Sequence, residues 1–379
     1  LKYIDRNDLL AEACRAIGRS SWAAVDTEAD SLHHYYEKLC LVQVSIPGGD
    51  YLIDPLVRLD LGPLVETLNP KTILMHGADF DIRMLRRAGP FSPREVFDTM
   101  IAAQLLGHER QGLADLVQKY CGETLSKVSQ KADWSRRPLD EKLMTYAWKD
   151  THYLSTIVEN LRKELLELGR TEWHRQSCAR LVQSLTSGEE EKKPSEHPWQ
   201  LKGSKHLSGK ALAILKELWT WREEEAKRRD RPTFKVLHSE TLIEIAGWAE
   251  KTPGADVAAL SGAPRNVRGE HREALNRVLA RSKELPPLAF VAEKKPFHKR
   301  RRRLDAADEK VLELLKKKRQ EIAEGLKIQP SLLATNLVLE TFAADRPATR
   351  EAFQKTNILL PWQEDVIAGP FLEVLNPTS

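Results

Sequence analysis

Five side chains in the first 150 residues have the types and spacing for phosphoryl chemistry. They are Asp26 and Glu28 in VDTEAD, Asp81 in HGADFD, and Tyr146 with Asp150 in YAWKD. Carboxylates are hard oxygen ligands, and a cluster of them suits Mg²⁺ or Mn²⁺. Two such ions held close together can stabilise both the attacking and the leaving oxygen of a phosphodiester. Asp26 and Glu28 are two residues apart on an apolar stretch, so on a strand they share one face. A buried strand rarely carries two acids on one face unless positive charge sits there. Tyr146 and Asp150 are spaced i, i+4 and stack on one side of a helix.

Each feature taken alone has a plainer reading. The acid pair fits a solvated turn, Asp81 fits a helix N-terminus that favours negative charge, and Tyr146 and Asp150 fit ordinary packing and a surface charge. Asp79, two residues from Asp81, is a rival for its role. The combination carries the argument, and it needs elements that bring three distant stretches together.

Those elements are expected in residues 1–185. Strands are predicted at 21–27, 39–46, 50–53 and 72–75, with Pro47, Gly48 and Gly49 as a turn. Helical spacing follows at 80–87, 99–106 and 113–120, and in one long helix from about 140 to 168. Hairpin-linked strands followed by strand–helix alternation imply an α/β fold, a mixed sheet flanked by helices. Residues 186–198 contain no aliphatic or aromatic side chain and read as a linker. Residues 199–283 form a small all-α domain, residues 284–303 a proline-containing basic linker, and residues 304–379 a second all-α domain.

The 379 residues, 41% of them hydrophobic, are long for one core, which agrees with two or three domains. A net charge of +4 neither requires nor excludes nucleic acid. The four cysteines lie far apart with no CxxC, which argues against a zinc or disulfide framework and fits the cytoplasm. No apolar run reaches the roughly 18 residues of a membrane span, and no signal-peptide pattern opens the chain. The chain starts at Leu1 rather than Met, consistent with a natural start further upstream.

The stretches VDTEAD, LVQVS, YLIDPL, HGADFDIRML, FDTMIAAQLLG, LADLVQKYCG, KADWSRRPL and YAWKDTHYL resemble the DEDD superfamily of 3′–5′ exonucleases. Tyr146 places them in its tyrosine branch, and within it they are most similar to ribonuclease D. LAILKELWTWREEEAKRRDRP with VLHSETLIEIA resembles the helicase-and-ribonuclease-D C-terminal (HRDC) domain, and KIQPSLLATNLVLE with LLPWQEDVI resembles a second copy.

The resemblance implies a ribonuclease H-like fold and two divalent ions, Mg²⁺ or Mn²⁺. Asp26 would bridge the ions, Glu28 and Asp150 would complete one site, and Asp81 would support the other. Tyr146 would orient the attacking water. The substrate would be RNA with a free 3′ end, tRNA precursors among them, shortened one nucleoside 5′-monophosphate at a time; no protein partner and no membrane are implied. A DNA 3′–5′ exonuclease on the same fold and a non-catalytic RNA-binding module are the rivals. Trp148 and Lys149 depart from the small residues common between the Tyr and the Asp, which bears on substrate preference.

Two groups are candidates for holding nucleic acid. Trp134, Arg136 and Arg137 offer a stacking ring and forked phosphate donors, or else an anchor on the core with solvated arginines. Lys299, Arg300, Arg301, Arg302 and Arg303 form a single-signed block suited to a polyanion. The stretch Arg222, Lys227, Arg228, Arg229 and Arg231 reads as an exposed face. Gln43, a polar residue on the second strand, receives no role.

Overall fold

The stretch LCLVQVSI is apolar or small at nearly every position, and it forms a strand buried along all but its two end residues. The computed structural model describes residues 1–126, 131–187, 196–291 and 304–376. Its sheet contains β1 (Lys2–Ile4), β2 (Trp22–Ala29), β3 (Leu39–Ile46), β4 (Gly49–Ile53), β5 (Thr72–Met75) and β6 (Glu95–Asp98). The strand order is β1-β4-β3-β2-β5-β6. β3 runs antiparallel to β2 and β4, whereas β1, β5 and β6 each pair in parallel. This is the expected mixed, ribonuclease H-like sheet.

The chain divides into two compact units. One comprises described residues within Leu1–Ala29, Leu39–Glu190 and His298–Ser379. It holds the sheet with α1 (Asn7–Gly18), α2 (Gly62–Leu68), α3 (Asp79–Ala88), α4 (Thr99–Leu105), α5 (Leu113–Cys121), α6 (Glu141–His152), α7 (Leu154–Glu167) and α8 (Thr171–Thr186). The expected helix over 140–168 is two helices, α6 and α7, which part at Tyr153.

The other unit comprises described residues within Asp30–Lys38 and Glu191–Phe297. Its helices are α9 (Gly209–Arg228), α10 (Thr233–Val236), α11 (Ser239–Lys251), α12 (Arg265–Arg268) and α13 (Arg272–Arg281). Leu215, Leu218, Leu242, Ile245 and Leu275 fill a core of its own. Residues 30–38 belong to it through Asp230, which accepts from the Tyr35 backbone N–H at 3.1 Å and pairs with His34, and through Glu223, which accepts from the Tyr35 hydroxyl. The basic stretch at the end of α9 is exposed at Lys227, Arg228 and Arg231, as expected, but not at Arg222. Arg222 is buried against the Leu237 carbonyl and Ser239, and Arg228 and Arg229 pair with Glu225.

The second helical stretch folds as α14 (Ala306–Leu326), α15 (Pro330–Leu333), α16 (Asn336–Asp345), α17 (Arg350–Gln354) and α18 (Pro361–Leu375). Residue 304 was expected to open a third domain, but it does not open a third core. Leu315, Phe342, Phe353, Trp362 and Phe371 share one hydrophobic cluster with Ala102, Leu105, Val117, Leu161 and Leu165 of α4, α5 and α7. Trp173 stacks on Trp362 with ring centres 4.6 Å apart, and buried Arg170 donates to the carbonyls of both Leu105 and Leu326. No helix among the described residues is long and apolar enough to cross a membrane.

Candidate active site

The acid pair lies inside β2, not in a turn beyond it. β2 continues through Ala29, with a register shift against β3 between Glu28 and Ala29. Asp26 and Glu28 keep some accessible surface, while Thr27 between them is buried. Thr27 donates its hydroxyl to Asp81 Oδ1 at 2.6 Å, which ties the first turn of α3 to the strand. Asp98 fixes the preceding turn. Its carboxylate accepts from the backbone N–H groups of Gly77, Ala78 and Met100 at 2.8–3.0 Å. Gly77 has φ +74, and a Cβ there would lie 2.4 Å from Met100. Only glycine accepts that combination without strain.

Asp79, the rival of Asp81, points away. Its side chain is more than half exposed and holds Arg83 one turn on. Asp81 is buried.

α6 delivers the last two groups. Asp140 caps it by accepting from the Leu143 N–H at 2.7 Å. Ser45 on β3 bonds Thr151 at 2.7 Å and Asp50 at 2.6 Å, and His152 reaches Asp50, so the C-terminal end of α6 is tied to β3 and β4. The Tyr146 hydroxyl hydrogen-bonds the Asp150 carboxylate.

One ligand oxygen each from Asp26, Glu28 and Asp150 lies within 4.8 Å of the others. Asp81 falls outside that trio, behind Thr27. No described Lys, Arg or His forms an ion pair with any of the four. Burial and the neighbouring Asp150 charge push Asp26 well above the usual carboxylate range. Burial, then Asp26, Asp150 and Asp81, push Glu28 up to about 10. Burial and Asp26 raise Asp81 despite the Thr27 hydrogen bonds. Burial pushes Asp150 up to about 7 against the hydrogen bond from Tyr146. Four acids with no cation paired to them among the described residues are a donor set that fits a divalent metal ion.

The nucleic-acid candidates need correction. Trp134 is 1% exposed and packs beside Tyr146 with ring centres 6.0 Å apart, so it cannot stack on a base. Arg137 spends its guanidinium on Asp54 and on the carbonyls of Trp134, Arg136 and Cys40. Of the three, Arg136 is the exposed one, its side chain 82% accessible beside Asp133 against 23% for Arg137. Lys299 to Arg303 lie outside the described residues. Thr27, Asp98 and Gln43 are site residues that motif spacing missed, since their partners lie on other elements. Gln43 is a buried amide directly across from Asp26 in the β2–β3 register.

Comparison with known proteins agrees with this geometry. Residues 1–166 match the 3′–5′ exonuclease domain family, and residues 211–263 and 308–375 each match the HRDC domain family. A ribonuclease D of Jannaschia sp. is 31% identical over 382 residues, 98% of this chain and 95% of that protein. A ribonuclease D of Pseudomonas paraeruginosa is 33% identical over 76% of each chain. Among solved structures, Escherichia coli RNase D superposes with a TM-score of 0.68 at 25% identity, over 99% of this chain and 98% of that one. That protein is described as an exoribonuclease involved in structured RNA processing.

Proposed function

This chain belongs to the ribonuclease D family and is a 3′–5′ exoribonuclease, and on that premise we propose that it trims 3′ tails of tRNA precursors and other structured RNAs at the carboxylate cluster. Asp26, Glu28 and Asp150 would hold a divalent ion, Mg²⁺ or Mn²⁺, and Asp81 would support a second. Bound there, such ions supply charge neutralisation at the phosphoryl oxygens and acidify water.

The chain's own groups do the rest. Thr27 holds Asp81, and α6 holds Asp150 against the strand pair. The Tyr146 phenol donates to Asp150, so its oxygen remains an acceptor that can orient a water proton. A phenol with a reference pKa of about 10 is a poor general base near neutrality, so orientation is its task. Water adds to the terminal phosphorus, the 3′ oxygen of the preceding nucleotide leaves, and a nucleoside 5′-monophosphate is released. The observation that carries this reading is the convergence of Asp26, Glu28 and Asp150 within 4.8 Å.

The test is nucleotide release from a 3′-extended tRNA precursor, with a matched DNA tail as the second arm. Asp26→Asn and Asp150→Asn abolish release while the circular-dichroism spectrum stays native. Tyr146→Phe slows it by roughly ten- to a thousand-fold, the scale of a lost orienting hydrogen bond. Wild-type turnover in Asp150→Asn would remove the cluster from the chemistry. Faster release from DNA than from RNA would overturn the substrate assignment.

A further inference from the structure

β3 is apolar through LCLV and again at Val44, yet position 43 between them is glutamine. Gln43 is fully buried and pairs with Asp26 across the antiparallel register. Its Nε2 donates to Asp26 Oδ2 at 3.3 Å. Its Oε1 is buried with no partner among the described residues. The orientation of the amide follows from chemistry, because only the NH₂ end can face a carboxylate. Buried amides are normally satisfied at both ends, so an amide with one end on a ligand candidate and the other open calls for a functional explanation.

We propose that Gln43 is a positioning residue for the divalent-ion site. Its NH₂ group holds one oxygen of Asp26 and leaves the other for the ion. Groups that orient a ligand in this way are worth about 10- to 100-fold in metal affinity. The inference rests on the reading of Asp26 as an ion ligand.

A purely packing role makes the opposite demand. If Gln43 only filled space, an apolar side chain of similar length would fit β3 at least as well, since its neighbours Leu41, Val42 and Val44 are apolar and buried. Removing the amide would then leave ion binding untouched.

The test uses the full chain and Gln43→Met, which keeps the length and removes both polar atoms, with Gln43→Leu as the second variant. Mn²⁺ affinity is measured by calorimetry, and melting is followed in EDTA and in saturating Mn²⁺. The expected result is Mn²⁺ binding weakened about 10- to 100-fold, melting in EDTA no lower than wild type, and a smaller rise in melting temperature on adding Mn²⁺. KM for RNA at saturating Mn²⁺ stays at the wild-type value. Affinity within twofold of wild type overturns the proposal. So does a lowered metal-free melting temperature with unchanged affinity, or failure of both variants to fold, because each makes Gln43 structural. If wild type binds no Mn²⁺, the reading of the carboxylate site itself fails, and that outcome is distinct from the others.

Discussion

Two sets of buried carboxylates in the catalytic unit, Asp54 and the acid cluster, have surroundings that differ in one respect. Asp54 is fully buried, yet Arg137 meets both of its oxygens at 2.6 and 2.7 Å, Tyr3 donates to it, and the Leu56 N–H adds a bond at 3.0 Å. Burial alone would raise its pKa, but the hydrogen bonds from Arg137 and Tyr3 outweigh burial and hold it below the usual value. Asp26, Glu28, Asp81 and Asp150 have one another instead, and all four are pushed upward. A buried acid whose cation comes from the chain braces the fold. A cluster of acids that lacks one is open to a cation from solution.

The largest effect comes from making the first setting resemble the second. Arg137→Ala leaves Asp54 buried without its cation, a change that costs about 3–5 kcal/mol when one partner of a buried pair is removed. Urea unfolding should register it. The same substitution frees the 131–140 segment from the Cys40 carbonyl, and with it the Trp134 ring that walls Tyr146. Nucleotide release should therefore fall too. A loss under about 1 kcal/mol would put Asp54 among ordinary surface pairs and dissolve the contrast.

A smaller effect follows from pH, where the two settings have opposite signs. Asp54 has a depressed folded pKa, so its stabilisation is present above the unfolded value and is lost as pH falls below about 4. The cluster has raised folded values. Its contribution is present below the unfolded values and is lost as pH rises through about 7 for Asp150 and on toward about 10 for Glu28. In EDTA the protein should therefore lose stability from pH 5 to 8, on the order of 1 kcal/mol per pH unit for each group crossing that window. Saturating Mn²⁺ should flatten or reverse the slope, since ligands bind metal deprotonated. Asp150→Asn should reduce the slope in EDTA. A metal-free protein with pH-independent stability over that range would mean that the cluster is better solvated than its burial implies.

The two settings were also unequally legible. The cluster announces itself in sequence because its geometry is local: Asp26 and Glu28 two apart on a strand, Tyr146 and Asp150 four apart on a helix. Spacing alone does not separate Asp81 from Asp79; the family resemblance favours Asp81, and the burial of Asp81 beside an exposed Asp79 agrees, through the way α3 meets the sheet. The Asp54–Arg137 pair spans 83 residues and carries no spacing signal, so Arg137 and Trp134 look like a phosphate grip until the core closes on them. The break at Tyr153 has no proline or glycine to mark it. Apolar faces on α4 and α7 do not say what covers them, which is why the second HRDC domain reads as separate in sequence and shares a core in space. By contrast α1 is legible after the fact, since Leu10, Ala13 and Ile17 recur at helical spacing.

The smallest effect isolates one contact of the braced setting. Tyr3 sits on the edge strand β1 and its phenol donates to Asp54 Oδ2, the oxygen that Arg137 Nε also reaches. Burial, then the hydrogen bond and charge of Asp54, raise the phenol's pKa above its usual value. The group therefore stays a protonated donor throughout the working pH range. Tyr3→Phe removes that donor and leaves the Arg137 fork intact, so Asp54 remains paired. The expected cost is about 1 kcal/mol, the net worth of one hydrogen bond. Mn²⁺ affinity and nucleotide release should be unchanged, because β1 is separated from β2 by β4 and β3. A Tyr3→Phe protein that folds normally but binds Mn²⁺ more weakly would show that the two sets of carboxylates are coupled through the sheet, and the division between bracing and metal-holding acids would have to be redrawn.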